Sequence, residues 1–468
     1  MRISLAGSAS YYRRVSRMWL GNHSLLGRSS FSYEPYVMVT FFCHSYHKAV
    51  SGDRTNLYLT PLLLYGNKYS MTLLSPSSNG RVRLSSRHRD PRQTGHPWIY
   101  AGHIEEIWGN PQTGDVVDVY LASKQFCGRG FYNSHSKIHV RLLTFHDEVI
   151  DAEFFRTRIQ SAVRLRQRMA LSTNAYRLVH GESDLLPGLI IDRYGDVAVM
   201  QTLSYGMDQR KEVLADLVMR ETGVKAVYLR NDAKSRSLEG LPLERGPMRG
   251  DGITTVDIFE HDAQFSVDIA EGQKTGWFCD QRDNRAAASK LAKNANVLEV
   301  FCHTGAFGVH AALRGARSIE GIDVSEPALT LARRHAVKNH VDQICRYRQA
   351  DAFQELRILD RSGRRYGMVI LDPPAFARSR HAVQHALAGY KELNLQALKL
   401  LEPEGFLVTC SCSHHVTETD FLKMIQSAGR DVHRQIRLIE QRSQGPDHPV
   451  LVSMPETRYL KCCILQVI

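Results

Sequence analysis

The chain of 468 residues carries a formal net charge of +12, with 43% apolar and 23% charged residues. That length predicts two to four domains with ample material for a core, and the composition excludes the disordered, collagen-like and membrane-spanning classes. The surplus of Lys and Arg points to a polyanionic partner, nucleic acid first among them, once a specific motif stands beside it.

Residues 1–75 read as an extension: Glu34 and Asp53 are its only acids, and no helical or strand period persists. Its apolar runs, Tyr36 to Cys43 and Leu57 to Tyr65, fall short of the roughly 20 residues of a membrane helix, and Pro61 interrupts the second. No membrane anchor is expected. Arg13, Arg14, Arg17 and Arg28 allow an organellar transit peptide, but a misassigned start, with Met71 opening the working protein, is the favoured reading.

In residues 76–148 the short runs Val116 to Leu121, Phe126 to Tyr132 and Ile138 to Thr144 alternate with turn residues, as in a small β-barrel. Arg81, Arg83, Arg87, Arg89 and Arg92 precede His96-Pro97-Trp98-Ile99-Tyr100. A basic run followed by aromatics can hold phosphates and stack on bases, which makes Arg87, His96 and Trp98 candidate RNA contacts. The bland alternative is a solvated tail ahead of a core aromatic.

Residues 149–255 form an α+β module. A helix is expected from Asp151 to Leu171, with Phe155, Ile159 and Ala162 on one face and Arg156, Arg158, Arg164, Arg166 and Arg168 on the other. That stripe is either a solvated face or a set of phosphate contacts. Leu189 to Asp192 and Val197 to Leu203 flank Tyr194-Gly195-Asp196 as a hairpin, followed by a helix from Met207 to Thr222 and a strand from Val224 to Arg230.

From 256 to 468 strand and helix alternate as in a parallel doubly wound α/β sheet. The strand Asn296 to Phe301, carrying Glu299, turns through Thr304-Gly305 and Gly308 into a helix, and a second strand ends in Asp323. Glycines at such a turn admit a ligand to the helix N-terminus, and the acid can take ribose hydroxyls. The dinucleotide pattern Gly-x-Gly-x-x-Gly is absent, so S-adenosylmethionine, which has no pyrophosphate, is favoured over NAD. Asp351, closing the third strand, is placed to accept from the adenine amino group.

The strand Tyr366 to Leu371 delivers Asp372-Pro373-Pro374-Ala375-Phe376 at its carboxyl edge, where ligands bind in this fold. Asp372 can pair with a cytosine edge and Phe376 can stack on a flipped base. The fifth strand, Gly405 to Ser411, runs into Cys412. C5 of cytosine accepts a methyl group poorly until a thiolate adds to C6, so Cys412 is the candidate nucleophile; Cys410 lies deeper and reads as a buried apolar residue. Nine cysteines without a Cys-x-x-Cys pair argue for a reducing, cytoplasmic setting, and Cys410-Ser411-Cys412-Ser413-His414-His415 fits no zinc spacing, so no metal is expected.

Several strings together, Gly95 to Trp98, Leu186 to Asp196, Gly272 to Phe278, Asp372 to Phe376, Ser411-Cys412-Ser413 and Asp447-His448-Pro449, resemble the ribosomal RNA large-subunit methyltransferase I family. The resemblance implies a class I (Rossmann-like) S-adenosylmethionine-dependent methyltransferase domain, an N-terminal PUA-like β-barrel that binds RNA and a central α+β domain. It implies 5-methylcytosine in large-subunit ribosomal RNA as product and Cys412 as nucleophile. It also lays Gln273, Lys274, Phe278, Asp280, Gln281 and Arg282 over the cofactor, beside Glu299, Phe301, Thr304, Gly305, Gly308, Asp323, Asp351 and Asp372.

Glu299 and His303 depart from the Asp and Tyr more usual in that family, and the first 70 or so residues have no counterpart in it. Two-cysteine RNA cytosine methyltransferases carry a further cysteine after the proline of the Asp372 motif; Pro373-Pro374-Ala375 has none, which leaves the base that removes the C5 proton unassigned between Asp372 and a water. The rival readings are methylation of a purine nitrogen, with Cys412 a bystander, and a non-catalytic RNA-binding assembly factor. Oligomeric state stays open, a homodimer being one option.

Overall fold

The computed structural model describes residues 78–377 and 379–468, so the reading of residues 1–75 as an extension with Met71 as the start lies outside the described residues. Alternating apolar side chains build the first sheet. Val116–Tyr120, Phe126–Tyr132 and Ile138–Thr144 join Gly80–Leu84, Trp98–Tyr100 and Ile104–Trp108 in six strands. Val82, Ile99, Val117, Val119 and Val140 turn inward to a small core of their own.

The helix Ala152–Arg168 begins where the Asp151 carboxylate accepts the Phe154 N–H at 2.9 Å. It buries Phe155, Ile159 and Ala162 against a five-stranded sheet made of Ala175–His180, Leu189–Tyr194, Val197–Thr202, Ala226–Asn231 and Glu244–Arg249. The helix expected from Met207 to Thr222 is split into Tyr205–Asp208 and Lys211–Thr222. The break falls at Arg210, whose guanidinium turns back to the Gly206 carbonyl at 2.8 Å and lies 4.6 Å over the Phe131 ring of the first sheet.

After the hairpin Thr255–Glu260 and Ala263–Asp268 comes a seven-stranded sheet, whose strands are numbered here from its start: β1 Asn296–Val300, β2 Ser318–Asp323, β3 Cys345–Gln349, β4 Tyr366–Leu371, β5 Leu401–Ser411, β6 Ile436–Arg442 and β7 Lys461–Val467. The order is β3-β2-β1-β4-β5-β7-β6; the first five run parallel, and β7 is antiparallel to both β5 and β6.

Helices α1 Arg282–Ser289, α2 Ala306–Leu313 and α3 Glu326–Lys338 cover one face, and α4 Ala352–Arg361, α5 Val383–Leu400 and α6 Glu418–Asp431 the other. Burial on both faces is why β4 reads as an unbroken apolar run, and why its limits agree with those expected from sequence. Reversal of the connection order between β1 and β4 opens a crevice at the carboxyl ends of these strands. Among the described residues no helix is long and apolar enough to cross a membrane.

Candidate active site

A cavity of about 430 Å³ occupies that crevice, within the size range of small-molecule sites. Its floor is the turn from β1 into α2. Gly305, at φ +73°, opens the helix; a Cβ there would stand 2.7 Å from the Tyr347 hydroxyl. One on Gly308 would stand 2.6 Å from Glu299 Oε2, so the helix start settles onto that carboxylate because the residue is glycine. Glu299 accepts the Phe307 and Gly308 N–H groups at 3.2 and 2.9 Å. Burial nevertheless outweighs those donors and raises its carboxyl to about 8. Asp323, at the end of β2, accepts the N–H groups of His303 and Ser325, each at 2.9 Å.

The roof is the segment from Gln273 to Gln281, a loop without periodicity that is held from outside the sheet. The Thr275 hydroxyl donates to Asp192 Oδ2 at 2.6 Å and lies 3.0 Å from the Tyr194 hydroxyl, while Asp192 also binds Arg177 at 2.6 and 2.8 Å. Arg285 donates to the Phe278 carbonyl at 2.9 Å and forks onto the buried Glu260. The strand around Asp192 in the central module therefore fixes the roof. Reading by pattern alone found no such role for Asp192, Tyr194, Glu260 or Arg285: the first two act through contacts 83 and 81 residues away, and the other two through a buried ion pair that no period marks.

Asp280 projects into the cavity with one oxygen accepting the Tyr459 hydroxyl at 2.6 Å; the other, Oδ1, is buried and has no partner among the described residues. Burial works to raise this acid, but Lys274, His448 and Tyr459 together hold it below the ordinary range, as a carboxylate. An anionic oxygen left without a donor suits the ammonium group of S-adenosylmethionine, and Asp323 at the strand end suits ribose hydroxyls. The residues present fit that cofactor.

On the far side of the cavity β4 and β5 emerge as parallel neighbours, paired through Leu371 and Thr409. They bring Asp372, Pro373, Pro374 and Ala375 to the same cavity as Cys412. Residues two apart share a face, yet Cys410 is fully buried opposite Cys462, and only Cys412 of the two reaches the cavity wall. Burial raises Asp372 to about 6, with Asp280 adding to the shift and a hydrogen bond from Gln281 opposing it. Burial and the Asp372 charge raise the Cys412 thiol to about 11, with Lys274 opposing. Beneath the Cys412 turn the buried ammonium of Lys461 donates to the Ser413 and Val416 carbonyls at 2.7 and 2.9 Å. Lys461 is a residue that sequence reasoning missed.

The candidates from sequence thus divide. Gln273, Lys274, Phe278, Gln281, Glu299, Phe301, Thr304, Asp323, Asp372 and Cys412 line one cavity. Gly305 and Gly308 shape its floor from behind. Arg282 does not face it: its guanidinium is buried against Asp447 at 3.0 Å, bracing the roof. Asp351 caps α4, accepting the Gln354 N–H at 3.0 Å, and is not part of the wall. Phe376 turns from the cavity into the layer of α5, its ring 4.7 Å from that of Tyr390, because the apolar core there takes it up.

On the first sheet, Trp98 is engaged within the protein: its indole N–H donates to Glu182 at 2.9 Å and Arg141 lies 5.3 Å over its ring. His96 stands 3.6 Å from Glu456. Arg87 is exposed, with no ion-pair partner among the described residues. No cluster of three or more His, Cys, Asp or Glu among the described residues is arranged to hold a metal.

Residues 82–145 match the PUA-like domain family, and residues 244–457 match the S-adenosylmethionine-dependent methyltransferase family. The chain is 38% identical over 393 residues to the ribosomal RNA large subunit methyltransferase I of Shewanella denitrificans, covering 83% of this chain and 99% of the relative. The chain belongs to the ribosomal RNA large subunit methyltransferase I family. A second family member, from Tolumonas auensis, is 40% identical over 379 residues, 80% of this chain and 96% of its own. In keeping with the family, the chain is an S-adenosylmethionine-dependent methyltransferase with a PUA-like domain. A solved structure described as a methyltransferase complexed with SAH shares the fold, with a TM-score of 0.72 at 22% identity over 83% of this chain and 100% of that one. Another, from Streptococcus mutans, gives 0.71 at 22% identity over the same shares.

Proposed function

We propose that this chain methylates C5 of a cytosine in large-subunit ribosomal RNA in the cytoplasm, with Cys412 as nucleophile and Asp372 as its acid partner. The observation that carries the reading is the convergence of Cys412 and Asp372, from adjacent parallel strands, on the cavity that Lys274, Asp280, Glu299 and Asp323 also line. S-adenosylmethionine, when bound, supplies an electrophilic methyl group for C5. Lys274, Asp280, Glu299 and Asp323 are the residues that would hold it.

The work of this chain is then to make C5 a nucleophile. The Cys412 thiolate adds to C6 while the Asp372 carboxyl gives its proton to N3, so the electron pair of the C5–C6 double bond becomes available at C5. An acid raised to about 6 is a better proton donor near neutrality than an ordinary aspartate. A water takes the C5 proton, the sulfur departs from C6 to restore the C5–C6 double bond and return the thiolate, and the N3 proton goes back to the Asp372 carboxylate. Pro373 and Pro374 stiffen the edge that carries Asp372.

The test is transfer of tritium from labelled S-adenosylmethionine to unmodified ribosomal RNA, with the product mapped by bisulfite sequencing. Label at one cytosine as 5-methylcytosine, absent from Cys412→Ala, supports the reading. Label on a purine, or label retained in the variant, rejects the thiolate route and points to nitrogen methylation.

A further inference from the structure

The arginine stripe on the helix Ala152–Arg168 is not uniform. Arg156 forks onto Glu153, Arg158 packs over the Phe154 ring at 4.5 Å, and Arg166 is buried against Asp184 and the Asp447 carbonyl. Arg164 and Arg168, by contrast, are exposed and have no ion-pair or hydrogen-bond partner among the described residues. They stand one turn apart on the same face and line one notch of about 280 Å³ together with Ser183 and the half-exposed Leu165 and Leu185.

The opposite wall of that notch is rigid. Asp184 accepts from Arg166 and from the His180 N–H at 2.6 Å, and Arg166 reaches on to Asp447, which holds Arg282 beneath the cofactor roof. Between these anchors Leu185 is held at φ +58°, a conformation costly for a branched side chain, with 48% of its surface exposed. It also lines a second cavity of about 280 Å³, which extends to Gly95 and Pro97, in the turn that leads into the strand Trp98–Tyr100 of the PUA-like sheet. Leu185 therefore joins the notch to a depression that ends beside His96.

From this geometry we infer that Arg164 and Arg168 form a phosphate-binding rail for the substrate RNA, with Leu185 as an apolar step between the rail and the PUA-like sheet. Two unpaired guanidiniums one helical turn apart, on an element braced to the catalytic unit, match a polyanionic backbone in charge, and the apolar step suits a ribose or base face. A rail fixed through Arg166 and Asp447 sets the register of the RNA against the active site without reading its sequence. The inference rests on RNA as the substrate and does not depend on which base atom is methylated.

Filter binding of large-subunit ribosomal RNA fragments across a salt series tests it, using the full chain. Arg164→Ala/Arg168→Ala is compared with Arg361→Ala/Arg430→Ala, which removes two exposed arginines elsewhere that also lack partners among the described residues. The rail predicts weaker binding for the first pair, with the slope of log K against log salt reduced by about 2, one per lost phosphate contact. It predicts a raised KM for RNA with kcat at saturating RNA unchanged, and little effect from the second pair. Equal losses in both pairs, or none in the first, overturn the rail while leaving RNA as substrate. No binding by the wild type overturns the substrate reading itself.

Discussion

The Thr275 hydroxyl donates to the buried carboxylate of Asp192 at 2.6 Å, joining the roof of the cavity to a strand of the central module 83 residues earlier in the chain. Thr275→Val keeps the shape and removes this donor, leaving Asp192 to Arg177. The expected cost is about 1 to 3 kcal/mol for a buried, charge-assisted bond. Calorimetry should show weaker S-adenosylmethionine binding, and a thermal melt a lower Tm. Unchanged binding would mean that the roof is held by its other contacts.

Gly308→Ala tests the floor. A Cβ would meet Glu299 Oε2 at 2.6 Å, so either the carboxylate or the start of α2 must move. Overpacking of this kind costs about 1 to 3 kcal/mol. Cofactor affinity should fall with stability, whereas a neutral outcome would show that the helix start yields.

Lys461→Met removes the donor to the Ser413 and Val416 carbonyls while keeping an apolar stem under the Cys412 turn. Methyl transfer should fall by about tenfold, equivalent to about 1.4 kcal/mol on the barrier. Below about pH 8, where Lys461, lowered by its burial, is still charged, alkylation of Cys412 should slow, because a buried cation has been lost. Activity lost with unchanged alkylation would assign Lys461 a purely structural part.

The legible parts of the sequence were those whose pattern is local. The apolar run Tyr366 to Leu371 fits a strand buried on both faces, and Asp372 at its end falls at the crevice because ligand sites in such sheets lie there. Trp98 and Phe376 read as base-stacking aromatics, but Glu182, which takes the Trp98 indole N–H, lies 84 residues along the chain, and the packing of Phe376 on Tyr390 depends on how the following helix folds back on the sheet. The loop from Gln273 to Gln281 shows the same limit: its position follows from Asp192 and Tyr194, which lie 83 and 81 residues from their partner Thr275. Within the arginine stripe, composition could not separate Arg166, which is buried, from Arg164 and Arg168, which face solvent.

Asp372 and Cys412 line one cavity, and the proposed mechanism requires one proton on the pair, on the carboxyl, with the thiol ionised. With Asp372 raised to about 6 and Cys412 to about 11, the pair holds one proton throughout that interval. The kcat/KM of the wild type should therefore rise with pH up to about 6 and then stay level through neutrality. Asp372→Asn leaves the thiol alone to titrate, so its much lower kcat/KM should keep climbing by about tenfold per pH unit across the same range. Parallel profiles for the two proteins would remove Asp372 from the proton count.

The most direct measurement is covalent trapping on ribosomal RNA that contains 5-fluorocytidine in place of cytidine, in the presence of S-adenosylmethionine. Fluorine at C5 cannot leave as a proton does, so a sulfur joined to C6 stays joined. A denaturation-resistant protein–RNA adduct is expected, mapped to Cys412 by mass spectrometry and absent from Cys412→Ala. Failure to trap an adduct with RNA that the enzyme otherwise methylates, or an adduct on another residue, would contradict the assignment of Cys412 as the nucleophile.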